Sequence, residues 1–306
     1  MFQTNRSVVS EFFLTGFQGS HLLRNLLFLL FLLLFCITIC GNLLIISLVF
    51  INNTLHTPMY FFISQLSISD IMLTTNVIPS MLHILLKNGA TISLPGCITQ
   101  IYFFCTSVSS ECLLLTGMSY DRYVAICNPL RYTSIMTSLH CVKLILETWV
   151  VCFIVSVVVT ITSSLLTFCG SNIIDHFFCD LMPLLEIACS DAFIVQLEMY
   201  VLSVALIIVP SVIIIDCYVY IIVAILRIPS STGRQKAFST CSSHLIVVSV
   251  FYWTLFSVYV FPTKGESSTM SKLLSLLYTM LTPLLNPIIY SLRNKDIKKA
   301  VQQTFT

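Results

Sequence analysis

The sequence predicts an all-α membrane protein, a seven-transmembrane-helix bundle with a short amphipathic C-terminal helix. Three observations predict it. Hydrophobic residues make up 57% of the chain and charged residues 9%, with a mean hydropathy of +0.96, whereas soluble domains carry about 25% charged residues. Seven stretches are long enough to cross a bilayer core, which needs roughly 20 apolar residues per helix. Lys and Arg are shared unequally between the connections on the two sides, as the positive-inside rule requires. A net charge of +2 leaves no footprint for nucleic acid. The chain shows neither an internal period of about 20–50 residues nor a low-complexity tract. A single domain over 1–306 is expected, with no cofactor.

The elements follow in order. Residues 1–21 lack the basic n-region, short apolar stretch and cleavage site of a secretory signal. They are expected to form an extracellular N-terminus, with the first apolar run acting as an uncleaved signal anchor. The runs cover 22–50, 58–86, 97–127, 141–166, 195–226, 237–261 and 271–292, and 293–306 is left as a cytoplasmic tail. The second and third are the most polar, so they are expected to face the bundle interior. With the N-terminus outside, the inner segments hold Arg131, Lys143, Arg227, Arg234, Lys236, Arg293, Lys295, Lys298 and Lys299. The outer segments hold Arg6, Arg24, Lys87, Lys264 and Lys272. Asn5-Arg6-Ser7 then becomes an outer glycosylation sequon at Asn5, while Asn52-Asn53-Thr54 lies inside and stays unmodified. The last four inner cations suit a short amphipathic helix on an anionic leaflet; a solvated basic tail is the plainer reading.

Polar residues within the runs carry the chemistry. Charges beside lipid are costly and are usually paired and functional. Asp121-Arg122-Tyr123 stands at the inner end of the third run. Arg122 is always charged and offers five donors, and Asp121 can neutralise it at rest; a simple interfacial anchor is the alternative. Asn42, Asp70, Ser110 and Glu111 also lie in apolar runs. Two nearby carboxylates, Asp70 and Glu111, repel, so one is protonated or a cation such as sodium binds between them. Pro287 and Pro210 each remove a helix hydrogen bond, giving either a weak point or a static kink. The cysteines divide by depth. Cys97, Cys169, Cys179 and Cys189 fall where disulfides form, with three connectivities open. A metal cluster of His176, Cys179 and Asp180 is disfavoured, because a disulfide consumes Cys179.

Five motifs stand in order along nearly the whole chain. They are Gly41-Asn42, Pro58-Met59-Tyr60-Phe61-Phe62, Met118 to Cys127, Lys236 to His244, and Pro283-Leu284-Leu285-Asn286-Pro287-Ile288-Ile289-Tyr290. In these the chain resembles a rhodopsin-like G-protein-coupled receptor and, more narrowly, an olfactory (odorant) receptor. The resemblance implies that Arg122 contacts a heterotrimeric stimulatory G protein, with Tyr218 and Tyr290 swinging toward it. The Lys236–His244 end of the sixth helix would move outward. Asn42, Asp70 and Asn286 would form a buried cluster. Cys97 would pair with Cys179, and Cys169 with Cys189 inside the 167–194 loop, which holds Asp175, Asp180, Glu186 and Asp191 and no Lys or Arg.

Helical spacing puts Phe104, Cys105, Val108, Ser109 and Cys112 on one face of the third helix. Tyr252, Leu255, Phe256 and Tyr259 share a face of the sixth. Leu202, Ser203, Leu206 and Ile207 lie on the fifth, and Leu276, Thr279 and Met280 on the seventh. The resemblance brings these faces together under the long loop as a pocket that is mostly apolar and without strong charge. It suits a small volatile odorant, with Ser109 and Tyr259 as anchors; ordinary helix packing is the alternative for any one of them. Three positions depart from the family pattern. Asp216 precedes Cys217-Tyr218 and is expected to be protonated or to reach Arg122 or His244. Trp253 adds bulk near the pocket floor, and Glu147 is an unusual charge in the fourth helix.

The expected setting is the plasma membrane of olfactory sensory neuron cilia, with lipid as a further partner; a chemosensory receptor of the same family acting outside the nose is the alternative. A transporter would show inverted repeats or paired broken helices. An intramembrane enzyme would gather a catalytic set at one depth, whereas His21, His56, His83, His140, His176 and His244 are scattered.

Overall fold

The computed structural model describes residues 9–169, 171–260, 268–293 and 295–305. Seven long helices follow one another: α1 His21–Ile51, α2 Pro58–Lys87, α3 Leu94–Cys127, α4 Ser138–Ser164, α5 Phe193–Leu226, α6 Ser231–Leu255 and α7, which starts at Ser268. A π turn, Phe256–Val260, extends α6. In α7 the stretch Ser268–Leu276 continues through a π turn, Leu277–Leu281, into Thr282–Arg293. The helix α8, Lys295–Phe305, follows. Among the described residues, six of these helices are long and apolar enough to cross a membrane; α6 is shorter in its apolar part, His244–Val260, because it begins with polar residues.

Local chemistry explains where the helices stop. The side chains of Ser20, Ser93, Thr137 and Ser230 accept backbone N–H groups at the starts of α1, α3, α4 and α6, supplying partners that the first turn otherwise lacks. Pro58 opens α2, where its missing N–H costs nothing. Asn88 ends it with φ 59°, and Gly89 follows at φ 113°. A Cβ on Gly89 would also meet the Phe13 ring at 2.2 Å, so that turn requires glycine twice over. The helices α2 and α3 are the most buried, whereas α1 and α4 turn most of their length outward. Apolar residues such as Leu29, Leu33, Leu146 and Ile154 are correspondingly exposed, as expected of surfaces that meet lipid.

The outer end carries what the all-α expectation omits. Glu11–Leu14 (β1) pairs antiparallel with Ala90–Ser93 (β2) and parallel with Ile173–Ile174 (β3), in the order β2-β1-β3. Phe12 and Leu14 point inward and are buried. Strands this short give too few alternations to register as a period. The 167–194 loop is not featureless either: Leu181–Glu186 is a short helix capped by Asp180. Lys272 of α7 bonds the Asp175 carboxylate at 2.6 Å and the Gly16 carbonyl at 2.8 Å, tying N-terminal segment, loop and bundle together. Cys97 is bonded to Cys179 and Cys169 to Cys189. Asn5 lies outside the described residues.

Candidate functional site

An outer cavity of about 100 Å³ lies between α3, α4, α5, α6 and the loop. Eleven of the sixteen residues expected in a ligand pocket line it: Phe104, Cys105, Val108, Ser109 and Cys112 from α3, Leu202, Ser203, Leu206 and Ile207 from α5, and Leu255 and Tyr259 from α6. Five do not. Tyr252 is buried and donates to the Cys112 carbonyl at 3.0 Å, bracing α6 on α3. Phe256 is partly buried against the core. Leu276, Thr279 and Met280 of α7 do not line it, and Thr279 donates to the Ser275 carbonyl at 2.7 Å. The cavity is bounded by α3, α4, α5, α6 and the loop, and no α7 residue is among those that line it. From α7, Tyr278 comes nearest in contact: its ring lies 5.8 Å from Phe104 and its hydroxyl 3.2 Å from that of Tyr259.

The cavity also takes in residues that helical spacing missed: Val155 and Val159 from α4, Met199 from α5, and Asp180 and Leu181 from the loop. Asp180 corrects the expectation of a pocket without strong charge. It is 4% exposed, accepts from the Leu181 N–H at 2.7 Å and from the Tyr259 hydroxyl at 3.1 Å. Burial pushes its carboxyl up to about 6, against the opposing effect of those two donors. Its neighbour Cys179 is the signal that could have found it, since the bond to Cys97 pins Asp180 above α3. Gln100 completes the placement, accepting from the Cys179 N–H at 2.8 Å and donating to the Asn76 carbonyl of α2 at 3.0 Å. Trp253 does not reach the pocket floor: it is 62% exposed on the outside of α6.

Midway along the bundle, Asn286 donates to both Asp70 oxygens at 3.0 Å. Asn42 donates to the Thr38 carbonyl at 3.0 Å and to the Pro283 carbonyl at 3.1 Å. The second bond has a direct cause. Pro287 has no N–H to offer the carbonyl four residues earlier, and Asn42 supplies the missing donor. Gly41 permits this approach, for a Cβ there would stand 3.2 Å from the Pro287 ring. Glu111 is fully buried, near enough to Asp70 to interact electrostatically, and neither of its carboxyl oxygens has a hydrogen-bond partner among the described residues. A buried carboxylate without partners is costly, so the pair suits either one shared proton or a hard cation with oxygen ligands.

At the inner end, Asp121 is 1% exposed and Arg122 is partly exposed, with Arg122 Nε 3.9 Å from Asp121 Oδ2. The pair is loose. A closer partner was missed: the Tyr132 hydroxyl donates to Asp121 Oδ1 at 2.8 Å. Burial first, and the Asp121 carboxylate next, hold that phenol above its ordinary pKa, so it stays a donor. Tyr218 lies 2.6 Å from His244 Nδ1, bridging α5 and α6. Tyr290 is buried with its hydroxyl unpartnered among the described residues. Tyr123 packs edge-on against Tyr220 of α5 at 5.9 Å. Pro287 lies inside α7. Lys236 is on α6, but its side chain lies outside the described residues. Asp216 does not join this group: it is exposed on α5 and forms no ion pair with Arg122, while His244 bonds Tyr218. Glu147 makes an exposed pair with Lys143 at 3.7 Å.

The geometry thus joins an open cavity beneath the loop, a polar middle and the Asp121–Arg122 pair at the opposite end of the bundle through the same helices. Comparison with known proteins gives one consistent result. A family model described as olfactory receptor matches residues 31–306. Olfactory receptor 5M5 of Mus musculus is 47% identical over 300 residues, covering 98% of this chain and 94% of that one. Olfactory receptor 11L1 of Homo sapiens is 44% identical over 299 residues, covering 98% and 93%. Olfactory receptor 5G9 of Mus musculus is 46% identical over 304 residues, covering 99% and 97%.

Proposed function

The chain belongs to the olfactory receptor family, and from that premise we propose that it binds a small, mostly apolar volatile in the outer cavity and activates a stimulatory heterotrimeric G protein, raising cyclic AMP. It is an odorant receptor and a multi-pass membrane protein, not an enzyme. In our reading the N-terminus is extracellular and the receptor works in the plasma membrane of sensory cilia. The observation that carries the ligand reading is the cavity itself, mostly apolar, with the hydroxyls of Ser109 and Ser203 and a corner where Asp180 and Tyr259 meet. Such a lining holds a ligand by shape and one or two hydrogen bonds. The direct test is a broad odorant panel, read as cyclic AMP in cells supplied with a stimulatory G protein.

Once an agonist is found, Tyr259→Phe tests the polar corner. The Tyr259 hydroxyl donates to the ionised Asp180 carboxylate, so its loss raises the Asp180 pKa further above about 6. For a ligand that donates to Asp180, the wild-type response should fall as outer pH drops through about 6. The variant should fail at a higher pH and need about tenfold more agonist at neutral pH, since a hydrogen bond to a charged group contributes roughly 1.5–3 kcal/mol. An unchanged dose–response curve at every pH would remove Tyr259 as an anchor.

For the buried middle we infer a sodium ion held between Asp70 and Glu111. The unpartnered Glu111 oxygens support that donor set. Replacing sodium with choline should change the wild-type agonist response and leave Glu111→Gln unaffected. If neither form responds to the exchange, the shared proton stands instead.

A further inference from the structure

A second, larger cavity of about 390 Å³ opens where α5 ends and α6 begins. Its chemistry is divided along the helices. Ile222 and Phe238 lie about a turn further into α5 and α6 than Leu226, which ends α5, and Ser231, Arg234 and Gln235, which begin α6. We propose that this groove holds one anionic phospholipid of the inner leaflet, with its phosphate at Arg234 and an acyl chain over Ile222, Leu226 and Phe238. The proposal rests on reading this end of the bundle as cytoplasmic.

Three features argue for that occupant. Ile222, Leu226 and Phe238 are 45%, 63% and 59% exposed, so the groove presents hydrocarbon outward at a depth where lipid is the surrounding medium. Between Cys217 and Val260 the chain has no Asp or Glu, yet it carries Arg227, Arg234 and Lys236; a net negative headgroup complements that charge and a zwitterionic one does so less well. Arg234 is also oriented. Its Nη2 donates to the Ile228 carbonyl at 3.3 Å just beyond the end of α5, and a guanidinium has further donors in a fork suited to phosphate. The N-terminal end of α6, capped by Ser230, adds partial positive charge on the same side. The polar end faces the headgroup layer and the apolar end the acyl layer, which is the polarity of an inner-leaflet lipid. In the odorant-receptor reading α6 moves outward here on activation, so a lipid lodged against both helices couples signalling to leaflet composition.

The test uses the full-length receptor in nanodiscs of phosphatidylcholine containing a minority of phosphatidylserine, with retained lipids identified by native mass spectrometry. Wild type should retain phosphatidylserine well above its bulk share. Arg234→Gln should cut that enrichment about fivefold, the usual contribution of one basic residue at an anionic surface. Arg234→Lys should keep most of it, and Lys143→Gln, at an exposed cation elsewhere, should change nothing. Wild type retaining the two lipids in bulk ratio overturns the proposal, even if the variants fail to fold. So does an equal loss in Lys143→Gln, which would mean diffuse surface charge, or displacement by soluble glycerophosphoserine, which would mean a headgroup site without a lipid chain. Discs expose both faces, so the outcome is independent of orientation; an epitope at the C-terminus, probed in intact and permeabilised cells, reads orientation separately.

Discussion

Arg122→Ala is expected to abolish odorant-evoked cyclic AMP while the receptor still reaches the cell surface. The guanidinium is partly exposed at the inner end of α3, held at 3.9 Å by an Asp121 carboxylate that is 1% exposed. At that separation the pair is a weak restraint, and Tyr132 supplies the shorter bond to Asp121. Truncating Arg122 therefore leaves Asp121 with a donor, and the fold survives. What is lost is the permanent cation that, in the proposed function, is offered to the G protein. Hydrogen bonds to charged groups contribute roughly 1.5–3 kcal/mol each, and about 1.4 kcal/mol is a factor of ten, so loss of one bond alone reduces coupling at least about tenfold. Surface receptor is measured by antibody in unpermeabilised cells and cyclic AMP in the same cells. Normal signalling at normal expression would refute the latch. Tyr132→Phe makes the opposite comparison: it loosens Asp121 while retaining Arg122, and higher basal cyclic AMP is the expected sign.

Cys179→Ser is expected to remove most receptor from the surface at 37 °C. The bond from Cys97 to Cys179 spans 82 residues, and both sulfurs are fully buried. Removing a native cross-link typically costs roughly 2–5 kcal/mol, comparable to the net stability of many domains. The damage extends beyond the bond, because Cys179 also donates its N–H to Gln100 and precedes Asp180 of the cavity. Cys169→Ser should be milder, since Cys169–Cys189 closes a shorter span of 20 residues and Cys189 is exposed. Surface expression at 30 °C and 37 °C separates the two. Equal losses in both variants would mean that cross-linking alone, rather than placement of Asp180, governs the outer cap.

What local chemistry dictates was legible without tertiary information. Apolar runs read as spans because each helix must satisfy its own backbone inside lipid. Phe104, Cys105, Val108, Ser109 and Cys112 could be grouped because α3 keeps a 3.6-residue period throughout their stretch. The same count failed in α7, because the cavity is bounded by four other helices and the loop, leaving Leu276, Thr279 and Met280 out, while Tyr278 reaches Tyr259. It also misjudged Trp253 and Asp216, which lie on apolar helices whose composition does not reveal which face meets lipid.

By itself, then, the sequence determined the number and order of the helices, the unequal sharing of cations between the two ends, the paired cysteines and the motifs that place the chain in its family. Each is a property of composition or short-range spacing. Only the tertiary structure decided that Asp180 walls the cavity, that Tyr132 rather than Arg122 makes the closest bond to Asp121, that Asn42 repairs the bond broken by Pro287, and that β1 is drawn onto the loop. These contacts join residues far apart in the chain, and their geometry depends on how neighbouring helices are rotated and how the loop is pinned, which no local pattern encodes.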